Sequence, residues 1–141
     1  MTAEATQNFS EVRDKIIRNL VSLLEKKEFH NIKAAFNGST YGAPKAYFGH
    51  TPDISAQDAK GHFYLMHVAL PDALRDEKIH EVLGSLAKHA RLHNNDFWLF
   101  VPKGWEVHTQ RRLRKLEIAD FVKLKPITLP DTHPHEDHPA N

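Results

Sequence analysis

Apolar residues recur at steps of three and four through Phe9, Val12, Ile16, Leu20 and Leu23, and Ile17, Val21 and Leu24 widen the stripe. That spacing predicts an amphipathic helix, capped by Asn8 or Ser10 and ending in the solvated run Glu25-Lys26-Lys27-Glu28. The period then shifts toward two over residues 29–36, a first strand halted at Asn37-Gly38-Ser39. Residues 37–50 hold three of the six glycines, so the pattern leaves them as a mobile connection or a twisted hairpin strand carrying Tyr41, Tyr47 and Phe48. In the next stretch, residues 51–70, two strands flank a polar turn at 57–61. Pro52 opens the first of them, Asp53 lies just inside it, and Phe63-Tyr64-Leu65-Met66 leads the second. A short apolar run rich in aromatic and branched residues is how a strand buried on both faces reads.

Residues 71–76 form a turn ending in an N-cap at Asp76, and Ile79, Val82, Leu83, Leu86 and Ala90 make the next helical stripe. Phe97-Trp98-Leu99-Phe100-Val101 is the most apolar strand, stopped by Pro102-Lys103-Gly104. A further helix is expected from Trp105 to Leu116, with Val107, Leu113 and Leu116 on one side and a basic edge on the other. Residues 120–125 alternate as a half-exposed edge strand with Phe121 out of the pattern. Two crossover helices joining apolar strands imply an α/β fold: a single domain with a mixed central sheet flanked by helices, in the order αβββαβαβ. The domain is expected over 9–125, after a flexible leader at 1–8 and before a disordered Pro/His-rich tail at 126–141 that holds four of the eight prolines.

Composition narrows the chemistry. The chain of 141 residues has no cysteine, which excludes a disulfide framework, a thiolate metal site and a cysteine nucleophile. No signal-type or membrane-length apolar run occurs, so a cytoplasmic protein without a membrane partner is expected. The net charge of +1 hides an asymmetry: residues 103–125 carry seven cations against three carboxylates, while 126–141 carry three carboxylates and no Lys or Arg. Lys103, Arg111, Arg112, Arg114 and Lys115 are therefore the candidate nucleic-acid contacts, with a plain solvated helix face as the bland reading. Trp98 and Trp105 read as core and helix-entry packing. His133, His135 and His138 of the tail could chelate a soft ion but lack a rigid frame.

The element order, with Pro52-Asp53 in the second strand of a meander, resembles the restriction-endonuclease-like, or PD-(D/E)xK, nuclease superfamily, and its Holliday-junction-resolvase branch in particular. The resemblance spans residues 9–125. It implies a restriction-endonuclease-like fold and a motif in which Asp53 is followed, near the end of the next strand, by an acid, any residue and a lysine. Those places fall here on His67, Val68 and Ala69. Enzymes of this kind hold hard divalent cations between carboxylates and use the lysine against developing charge. A lone carboxylate beside an imidazole suits magnesium poorly.

The expectation is thus a catalytically degenerate nuclease-fold protein, uncertain as an enzyme and leaning against it. It would act as a nucleic-acid-binding or interaction module on DNA or RNA, with no cofactor expected. One alternative is an active metal-dependent endonuclease using Mg or Mn at a rearranged site around Asp53 and His67. Asp58, Lys60, Asp72, Lys88, Asp14 or Glu11 would then supply the missing groups. Another is an oligomerising structural protein that pairs copies through the edge strand 120–125 and binds no nucleic acid. The plainer readings are a turn-edge Asp53 that holds backbone amides and a satisfied His67 in an apolar strand.

Overall fold

The structure, a computed structural model, describes residues 9–129. Helix α1 (Phe9–Lys26) leads into strand β1 (His30–Ala34), which pairs antiparallel with β2 (Ile54–Gln57), itself antiparallel to β3 (Phe63–Val68). A short helix α2 (Pro71–Leu74) precedes α3 (Ile79–His93), which returns the chain to β4 (Asp96–Pro102), parallel to β3. Helix α4 (Glu106–Lys115) and a 3₁₀ turn (Ala119–Phe121) lead to β5 (Lys123–Ile127), parallel to β4. The result is one five-stranded mixed sheet in the order β1-β2-β3-β4-β5, a single α/β domain.

The sheet is buried on both faces because its strands alternate between two apolar clusters. On one face Val12, Ile16, Ile17, Val21 and Leu24 of α1 pack on Ile54, Ala56, Met66, Val68 and Phe100. On the other, Leu83, Leu86, Ala87 and Ala90 of α3 and Leu113 of α4 pack on Leu65, Phe97, Leu99 and Val101. Residues i and i+2 of a strand share a face, so the runs Leu65-Met66 and Phe97 to Val101 feed both clusters at once. The 57–61 turn forms around Asp58: its Oδ1 accepts the backbone N–H groups of Lys60 and His62, and its Oδ2 accepts the Tyr64 hydroxyl. Desolvation pulls the Asp58 carboxyl upward, but these bonds together hold it below the ordinary aspartate range.

Three local details differ from the pattern-based reading. Residues 71–74 are a helix rather than a turn, and α3 starts at Ile79; Asp76 instead accepts the Lys78 N–H at 3.0 Å. On α4 the buried line is Trp105, Thr109 and Leu113, at steps of four, whereas Val107 is 66% exposed. The Thr109 hydroxyl donates to the Trp105 carbonyl at 2.8 Å, which lets a polar residue occupy the inner face. Pro126 and Ile127, which the pattern puts in the tail, are the last residues of β5. Proline is tolerated there because β5 is an edge strand. Thr128 and Leu129 follow it, Leu129 part-buried against the α1 cluster, while residues 130–141 of the expected tail and the leader 1–8 lie outside the described residues.

The 37–50 connection contains one antiparallel bridge, Tyr47 with His50, and is pinned to α3. His50 Nδ1 lies 2.9 Å from Ser85 Oγ, and the Tyr47 ring packs against His89 at 4.0 Å between centroids, tilted by 45°.

Candidate functional site

The Asp53 backbone N–H bonds to the Met66 carbonyl at 2.9 Å, so the β2–β3 ladder continues one residue past Ile54–Met66 and sets Asp53 opposite His67. Both are buried, Asp53 at 5% exposure. Asp53 Oδ2 accepts the backbone N–H of Val68 at 2.7 Å, and its Oδ1 is paired with the Arg13 guanidinium of α1. Arg13 also donates through Nε to the Val68 carbonyl at 3.3 Å, so one guanidinium ties α1 to the ends of β2 and β3. This fork exploits the planar spread of guanidinium donors.

His67 completes the group. Its Nδ1 stands 3.2 Å from Asp53 Oδ2 but off the line a hydrogen bond needs, and it has no hydrogen-bond partner among the described residues. Distance alone would make this an ion pair; the alignment and the charge state argue otherwise. Burial pushes the imidazole below its ordinary value, and the Arg13 charge adds to that against the pull of Asp53. His67 is therefore neutral near pH 7, and the pair is a carboxylate beside an imidazole rather than two ions.

The group opens on a cleft of about 350 Å³ whose walls include Arg13, Asp14, His67 and Asp72. It lies at the carboxyl end of β3, where α/β sheets commonly receive ligands. Of the residues named as stand-ins, Asp14 and Asp72 reach this cleft, and Asp14 also accepts the Asn37 N–H at 3.2 Å. Glu11 is exposed on α1. Asp58 and Lys60 belong to the turn at the far end of β2, and Lys88 sits 4.5 Å over the Phe48 ring.

A hard divalent cation does not fit Asp53 and His67 as they stand. Both carboxylate oxygens are engaged, one by a guanidinium and one by an amide, and the neighbouring donor is a neutral nitrogen. Among the described residues no three His, Asp or Glu side chains converge on one point. Ala69, where the resembled motif would carry its lysine, is 0% exposed and packs with Leu65, Leu74 and Leu83 beneath α3. That position is apolar core.

The basic helix divides in two. Lys103, Arg111, Arg114 and Lys115 are exposed. Arg112 turns inward and donates to the Leu74 carbonyl at the end of α2. It shares that carbonyl with His108, so its guanidinium is already engaged within the fold. Asp72 and Ala73 of α2 also wall the cleft, so Arg112 reaches the short helix that borders it.

Arg13 is the member of this group that the pattern missed. It falls four residues after Phe9 and three before Ile16, inside the buried stripe, and a cation at such a place signals a partner in the core. No helix among the described residues is long and apolar enough to cross a membrane. Compared with family models, curated proteins and solved structures, the chain matches none.

Proposed function

We propose that the chain is a nuclease-fold protein whose metal-dependent cleavage site has been replaced by a structural ion pair, and that it works by binding nucleic acid. The observation that carries this reading is the Arg13 guanidinium on Asp53, a fixed cation held where a nuclease would need an open carboxylate oxygen for a metal. The apolar burial of Ala69 supports it from the next strand, since the place where the resembled motif carries a lysine is packed core. The exposed cations Lys103, Arg111, Arg114 and Lys115 form the contact surface. They would neutralise phosphates without reading sequence, so binding falls steeply with salt. The rival structural reading, copies joined through β5, is disfavoured by Lys123, Lys125 and Pro126 along that edge, which are the residue types that blunt strand addition.

The test is incubation with single-stranded, duplex and branched DNA and with RNA, in magnesium and in manganese, alongside a salt titration of binding. Binding that weakens with salt, without cleavage, is the expected result. Cleavage abolished by Asp53→Ala would instead establish an active nuclease, with Asp14 and Asp72 as the first acids to examine. Absence of binding at low salt would remove the nucleic-acid reading.

A further inference from the structure

The face of the sheet under α1 carries a second feature, remote from the basic helix. The packing of α1 is centred on β1 to β3, and between its C-terminal half and the outer strands lies a groove of about 210 Å³, lined by Leu20, Leu23, Trp98 and Phe100, with Lys27 and Lys125 in its walls. Leu23 is 50% exposed there. A ladder of rings crosses this part of the sheet: Phe29 to Tyr64 at 5.2 Å, Tyr64 to Trp98 at 5.0 Å and Trp98 to Phe100 at 6.3 Å. The Lys125 ammonium lies 4.4 Å over the Trp98 ring. The Trp98 indole nitrogen is buried and, among the described residues, has no acceptor. Buried indole N–H groups normally find one.

The end of β5 passes beside this groove. Ile127 and Thr128 line an adjoining hollow with Ile16, Asn19 and Leu20, and Leu20 belongs to both. Leu129 is part-buried against the same apolar cluster. The twelve residues that follow, 130–141, contain Pro130, Pro134 and Pro139, with Asp131, Glu136 and Asp137 and no Lys or Arg.

We propose that residues 130–141 dock in the Trp98 groove as an extended proline-rich segment. Proline-rich chains lose little conformational freedom on docking, and their backbone carbonyls are free because the extended helix makes no internal hydrogen bonds. Such a carbonyl supplies the acceptor that the Trp98 indole lacks, proline rings lie against the aromatic ladder, and the carboxylates meet Lys27 and Lys125. The reach is sufficient: at about 3.1 Å per residue the segment spans roughly 37 Å. From Leu20 to the end of α1 at Lys26 is only about 9 Å.

The absence of cysteine makes the test direct. In the full chain, Ala140→Cys carrying a nitroxide label has the only thiol, and the Trp98 indole resonance is assigned through Trp98→Phe. Docking predicts that this resonance loses most of its intensity relative to the reduced label, and regains it when Lys27→Glu and Lys125→Glu are combined. The Trp105 indole, enclosed on the opposite face, reports that the charge-reversed protein is folded. Equal intensity with oxidised and reduced label, or a loss that survives charge reversal, would overturn the proposal. So would a loss seen only when labelled and isotope-enriched molecules are mixed, which would make a second copy's segment the occupant.

Discussion

The carboxylate of Asp53 accepts the backbone N–H of Val68 at 2.7 Å, across two neighbouring strands. A buried amide at a strand end needs an acceptor, and the side chain facing it supplies one. If Asp53 serves the fold in this way, Asp53→Ala destabilises the protein by about 2 to 3 kcal/mol, because it strands both that amide and Arg13. Urea or guanidinium unfolding measures this. A carboxylate retained for metal binding would instead leave stability unchanged or raised on removal.

Arg13 and Asp53 should be coupled. Arg13 is 37% exposed on its side chain, so solvent screens part of the attraction. Arg13→Ala is expected to cost about 2 kcal/mol, mostly from leaving the carboxylate buried and unpaired. Combining it with Asp53→Asn should recover about 1 kcal/mol or more of the summed losses in a double-mutant cycle. Strict additivity would show that the contact does not bind α1 to the sheet.

Stability should fall on mild acidification. The His67 value is lowered from the ordinary 6.5 by burial first, so the unfolded chain takes up a proton before the folded one does. This contribution is complete above pH 6.5 and is lost as the pH drops from 6.5 through the depressed folded value, at up to about 1.4 kcal/mol per pH unit. His89 and His108 are lowered in the same direction, again mainly by burial. The measurement is therefore a difference: unfolding midpoints of the wild type and His67→Gln between pH 5 and 7.5 should run with distinct slopes, the variant's being shallower.

The arginines of α4 should separate by function. Arg111→Ala and Arg114→Ala should each reduce the salt dependence of duplex binding by roughly 0.9 in logarithmic slope, with little effect on stability. Arg112→Ala should do the reverse, leaving the slope intact and lowering stability by about 1 kcal/mol through loss of its bond to the Leu74 carbonyl, which keeps His108 as a second partner. Equal slopes for all three variants would argue against a phosphate-facing helix.

Supplying the missing lysine should not rebuild a nuclease. Ala69→Lys places an ammonium among Leu65, Leu74 and Leu83, at a cost of several kcal/mol. Marked loss of thermal stability with no cleavage in magnesium is the expected result; a folded, cutting variant would mean that position 69 still faces a site.

Periodicity was enough to read the α/β class and the order of the elements apart from α2, because each strand and helix must turn a particular set of side chains inward. The step of three and four in α1 and the unbroken apolar runs of β3 and β4 carry that information locally. The pairing of Asp53 with Arg13 joins residues 40 apart, so neither partner's neighbours along the chain announce it. The bond from Arg112 to Leu74 was hidden for a similar cause: on a helix of mixed cations, which one turns toward Leu74 depends on where α2 ends. Val107, read as inward, is exposed, while the inner line of α4 runs from the buried Trp105 through Thr109 to Leu113. Hydrophobic pattern is a property of one segment and can be read from it. The protonation of His67, the engagement of the Asp53 oxygens and the sealing of Ala69 depend on what distant segments bring to the same few ångströms, and only the packed chain decides that.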